Sequence, residues 1–102
     1  MATYLSILTM KRQISRAQFE KYVSVRAYYI WLGLEKSRRE RNWYIAEHEL
    51  GHMRYIHPSD PRHRQLSDYA RDVVYPRFKD QDARADRREA EQYIAIRYAV
   101  RD

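Results

Sequence analysis

The chain has 102 residues, 44% hydrophobic and 33% charged, a globular rather than a disordered composition, and one domain over 1–102 is expected. Lys and Arg number 20 against 14 Asp and Glu, a formal net charge of +6, which favours acidic partners, either nucleic acid or an acidic protein surface. Cysteine is absent, so disulfides and thiolate metal sites are excluded and a cytoplasmic location is expected.

No apolar run approaches the roughly 20 residues that a membrane-spanning helix needs, so no membrane partner is expected. No basic segment precedes the apolar start of the chain, which argues against a signal peptide. Only 2 glycines and 3 prolines interrupt the sequence. That scarcity predicts an all-α fold, a small single-domain bundle of about four helices built on an N-terminal helical hairpin.

In chain order, residues 1–13 read as an apolar start and a short basic turn. Ser15 is the expected N-cap of a first helix, because its hydroxyl can accept an orphan backbone N–H. Phe19, Val23, Ala27, Ile30 and Leu34 then recur at steps of four and three, one stripe of a helix. A strand over residues 22–34, a stretch rich in valine and aromatics, is the alternative, but its alternation fails because both faces would carry large apolar groups, with Arg26 among them. The polar run 35–41 reads as the turn of the hairpin, which spans about 15–57.

The second helix carries Trp43, Ala46, Leu50 and Met53 on one side and should end before Pro58. Asp60 and Pro61 are the N-cap and first residue of a third helix over about 61–75, with Leu66, Tyr69, Ala70, Val73 and Val74 on its apolar face. Pro76 should stop it. Asp80 or Asp82 opens a fourth helix over about 80–101, with Ala83, Ala90, Ile94 and Tyr98 in its stripe and Arg87 on the same line.

One pentapeptide stands out for chemistry: His48-Glu49-Leu50-Gly51-His52. Continued on the second helix, it would place two imidazoles at i and i+4 on one face, where both reach one zinc ion. The string resembles the HExxH zincin metallopeptidases. The resemblance implies His48 and His52 as zinc ligands and Glu49 as the base that activates a zinc-bound water. A third ligand must come from downstream. Asp82-Ala83-Arg84-Ala85-Asp86 is similar to the Glu-x-x-Ala-Asp segment of some zincins, with Asp in place of Glu, and points to Asp86. His57, Asp60, His63 and Asp82 are further candidates. Outside this reading no cofactor is implied.

A second resemblance covers residues 23–50. Ala27-Tyr28-Tyr29-Ile30-Trp31, followed by Trp43-Tyr44-Ile45-Ala46-Glu47-His48-Glu49-Leu50, resembles the bacterial family known as domain of unknown function 2934. That family shows Ala-Tyr-x-x-Trp, a polar turn, then Trp-x-x-Ala-Glu-x-Glu-Leu. The resemblance implies a helical hairpin held by the two tryptophans and no established activity. On this alignment His48 falls in a variable slot, so the pentapeptide need not be catalytic.

The chain has 10 tyrosines. Tyr28, Tyr29, Tyr44 and Tyr55 could form a stacking surface for nucleic-acid bases, with Arg26, Arg41 and Arg54 around it; Tyr28, Tyr44, Tyr55 and the three arginines are the candidate binding residues. The alternative is that tyrosines line the boundary of a thin core, rings packed and hydroxyls wet. The functional expectation is a small basic helical interaction module, non-enzymatic, that binds an acidic protein or nucleic acid, or serves as a homo-oligomer or small subunit of a larger assembly. The alternative is a minimal zinc-dependent metallopeptidase.

Overall fold

The computed structural model describes residues 11–51 and 56–101, and 82% of it is helical. Strand β1 (Arg12–Ser15) leads into helix α1 (Arg16–Glu49). Helix α2 (Pro61–Tyr69), a π-helical stretch (Ala70–Val74) and helix α3 (Tyr75–Arg97) follow one another without a break, and strand β2 (Tyr98–Arg101) ends the chain. The helical class is as expected, but the four expected helices are two long ones.

Ser15 opens α1 with a reciprocal capping box. Its hydroxyl accepts from the Gln18 backbone N–H at 3.1 Å, and the Gln18 side-chain oxygen accepts from the Ser15 N–H at 3.0 Å. At the second helical start, Asp60 accepts from the Arg62 N–H at 2.9 Å and Pro61 takes the first position, as the sequence predicts.

The expected turn at 35–41 is a correction. Those residues lie inside α1, which runs for 34 residues. Glu, Lys and Arg are good helix formers, and nothing in the run breaks a helix. Partners from the following helix also hold it: Arg38 and Arg41 both reach Asp82, at 3.7 and 2.9 Å. Trp31 and Trp43 therefore lie on one uninterrupted helix, not on the two arms of a hairpin.

Pro76 is a second correction, because the helix does not stop there. A proline inside a helix lacks the N–H that would bond to the carbonyl four residues back, and its ring clashes with that carbonyl. The π-helical stretch immediately before it widens the backbone, with the Tyr75 N–H bonded to the Ala70 carbonyl five residues back. The extra residue absorbs the proline, so no new helix begins at Asp80 or Asp82. The third correction is at the ends. The basic segment before Ser15 and the last residues from Tyr98 form a parallel two-stranded ladder, in which Ile14 pairs with Val100.

The chain forms two compact units. Unit 1 comprises Met1–Trp31 and Arg84–Asp102, and unit 2 comprises Leu32–Ala83. In unit 1, Ile14, Phe19, Val23, Ala90 and Ile94 form the core. Val23 is fully buried, which stabilises the fold by about 2 kcal/mol. Glu20 and Arg87 form an ion pair, and Arg87 also bonds Glu91 at 3.0 Å. In unit 2, Ala46, Leu66 and Val74 form the core, with Trp43, Leu50, Tyr69 and Phe78 packed around them.

Candidate functional site

The pentapeptide 48–52 sits at the end of α1, not within it. The helix ends at Glu49. The Leu50 N–H still bonds to the Ala46 carbonyl at 2.9 Å, and the Gly51 N–H bonds to that of His48 at 3.3 Å. Gly51 then takes a φ of 87°, the left-handed conformation that terminates helices and that glycine adopts without strain. The expectation of a helix continuing through the pentapeptide is therefore corrected at Leu50 and Gly51. His52, the expected second ligand, lies outside the described residues.

Glu49 is engaged by the helices that follow. The Tyr69 hydroxyl donates to it at 3.0 Å, and Arg77 forms an ion pair with it. The hydrogen bond from Arg77, with that from Tyr69 adding to it, holds the Glu49 carboxyl below the ordinary range. It stays ionised and bound to a guanidinium, so the arrangement ties the end of α1 to α2 and α3.

The other candidate ligands also have structural roles. His57 packs its Nδ1 against the Ser59 hydroxyl at 2.7 Å. Asp60 caps α2 and forks onto Arg62, whose side-chain and backbone hydrogen bonds lower its pKa to about 2. The His63 ring packs against Trp43, tilted at 45° with the centroids 4.8 Å apart. Asp82 accepts both terminal nitrogens of Arg41, at 3.3 and 2.9 Å, and that bond depresses its pKa. Asp86 is buried in unit 1, whereas His48 is exposed in unit 2. Among the described residues, no three His, Asp or Glu side chains are grouped so as to hold a metal ion.

Two of the arginines expected around the tyrosines, Arg26 and Arg41, are engaged within their own units. Arg41 is committed to Asp82 and Asn42, and its guanidinium lies over the Phe78 ring at 4.2 Å. Arg26 lies over the Tyr93 ring at 3.7 Å, and Arg97 over the same ring at 3.5 Å. The Arg26 Nε is buried without a hydrogen-bond partner, so the ring face compensates its burial. Arg54 and Tyr55 lie outside the described residues.

Tyr28 and Tyr44 do face solvent, each more than half exposed. They belong to different units, Tyr28 to unit 1 and Tyr44 to unit 2. Tyr28 has aromatic neighbours on α1. Its ring packs edge-on against Tyr29 at 5.6 Å and tilted against Trp31 at 6.0 Å. Val25 is 50% exposed, Tyr28 55%, Tyr29 59% and Trp31 41%. Val25, Tyr28 and Tyr29 stand at i, i+3 and i+4, one line along the outer side of α1. At about 100° per residue this line lies roughly opposite the buried Phe19 and Val23.

Tyr29 was expected in the stacking surface beside Tyr28, whereas Val25 and Trp31 were not among the expected binding residues. The signal for them was in the sequence, because the stretch from Tyr22 to Leu34 is apolar on both sides of a helix and a two-helix pairing covers one. Comparison with family profiles, with characterised proteins and with solved structures finds no match to this chain.

Proposed function

We propose that this chain is a small basic interaction module without a catalytic role of its own, and that it binds an acidic partner through the exposed face of α1 in unit 1. Four large apolar side chains on two helical turns, each 41% or more exposed, carry the reading. Soluble chains seldom leave such a patch uncovered, and those that do use it as a contact surface. Tyr and Trp are also the side chains that contribute most at protein interfaces. The net charge of +6 supplies the field that draws an acidic partner. The resemblance of residues 23–50 to domain of unknown function 2934 is part of the same proposal and adds no activity to it. Among the described residues, no helix is long and apolar enough to cross a membrane.

Binding of labelled single- and double-stranded oligonucleotides and of polyglutamate across a salt series tests the acidic-partner reading. Binding at low salt that weakens steadily as salt rises is expected, because counterions are released on contact. Absence of binding to all three probes at the lowest salt removes the reading. Metal analysis of protein purified without a histidine tag tests the non-enzymatic part. Zinc well below one equivalent, with no change in melting temperature on chelation, is the expected result. Stoichiometric zinc would instead restore His48, Glu49 and His52 as a peptidase site.

A further inference from the structure

Three features outside the engaged carboxylates invite a role. A shallow groove in unit 2 is lined by Arg64, Gln65, Asp68, Tyr69 and Asp72. Its acidic groups are already spent, since Arg71 pairs with both Asp68 and Asp72. The two guanidiniums over Tyr93 form a second feature, but both rest on a ring face inside unit 1. The third is the aromatic face of α1, and it carries an inference about the chemistry of its partner.

We infer that this face takes an acidic amphipathic helix of another protein. The inference rests on the interaction reading above and specifies its partner. The first observation is how charge is divided between the units. Unit 1 holds ten Lys and Arg against five Asp and Glu, whereas unit 2 holds ten against nine. Nearly all of the net positive charge therefore lies on the unit that bears the apolar face. Lys21, one turn before Val25 and exposed, brings a cation onto the same line of α1.

The second observation is the composition of the face. Val25, Tyr28 and Tyr29 at i, i+3 and i+4 match the ridge spacing by which one helix packs on another. A valine offers a nucleic-acid base neither an aromatic stacking face nor a hydrogen bond. The Tyr28 and Tyr29 rings meet each other at 72°, edge to face, and do not stand apart as platforms for successive bases. A second copy of the chain fits poorly, because its own unit 1 would bring another excess of five cations against the first. An acidic helix with its own apolar stripe satisfies both the field and the contact.

The test is a display selection on the full chain. The library holds amphipathic helices of about 20 residues, long enough to be helical in isolation. Leucine is fixed at i, i+3, i+4 and i+7, and Glu, Gln or Lys is drawn at random elsewhere. Enrichment of Glu is expected. The selected peptide should bind at least about tenfold more weakly to Tyr28→Ala and to Val25→Glu. Both positions are exposed, and far-UV circular dichroism checks that each variant keeps its helix content.

Enrichment of Lys, or no charge preference, overturns the inference and leaves the interaction face standing. So does a dimer in sedimentation equilibrium that dissociates in the Val25→Glu variant, because a second copy then fills the face. Single-stranded oligonucleotide binding lost in Tyr28→Ala assigns the face to nucleic acid and has the same effect. Peptides that bind the variants as tightly as the original chain overturn both the inference and the assignment of this face.

Discussion

Gly51 and Gly33 show how one residue type does opposite things at two places. At Gly51, φ is 87° and a Cβ would meet no atom within 4 Å, so the whole cost of a substitution is backbone strain. Gly51→Ala is expected to lower stability by about 1 kcal/mol. Gly33 lies inside α1 with no atom within 4 Å of an added Cβ. There Gly33→Ala should raise stability by about 1 kcal/mol, the helix-propensity difference between the two residues. Urea unfolding of both variants checks the pair of signs. Both helix starts were legible because a cap is a local event: Ser15 and Asp60 bond to backbone groups two or three residues away. The commitment of Glu49 to Tyr69 and Arg77 was not legible, since its partners lie 20 and 28 residues along the chain. Read locally, Glu49 belonged to a catalytic string. Read in the fold, it is one half of an ion pair.

Among the elements, the sequence overstates how often helices stop. Residues 35–41 are polar because they are solvated or paired, not because the chain turns, and their helix propensity was the better guide. Pro76 is the harder case. A proline ends most helices, but here the π-helical stretch at Ala70–Val74 absorbs its missing N–H and its ring. In Pro76→Ala, residue 76 regains an amide that can bond to the Asp72 carbonyl in α register. That amide should exchange slowly, and stability should rise by less than the roughly 3 kcal/mol that an interior proline costs, because the wide turn already relieves most of the clash. If the wide turn persists in the variant by NMR, the burial of Val74 holds it in place and the proline does not. The parallel pairing of β1 with β2 joins residues 86 apart, so no local pattern could announce it.

For the molecule as a whole, the two units have separate cores but share two helices, since α1 and α3 each contribute residues to both. Such sharing couples their unfolding. Val23→Ala in unit 1 should cost about 2 kcal/mol and Leu66→Ala in unit 2 about 3 kcal/mol, both residues being fully buried. Thermal unfolding followed by circular dichroism is expected to show one transition in each variant, shifted as a whole. Two separate transitions would mean that the shared helices do not transmit the loss. By itself the sequence determined the helical class, the two helix starts and most of the core: Phe19, Val23, Ala46, Leu66, Val74, Ala90 and Ile94 are all buried at positions that their spacing picks out. Periodicity and capping act over a few residues, so they can be read from the chain. Only the tertiary structure decided that α1 runs unbroken, that Glu49 and Asp82 hold arginines, and that Val25, Tyr28, Tyr29 and Trp31 are left uncovered. Those outcomes depend on what lies across from each residue, and the partners come from distant parts of the chain.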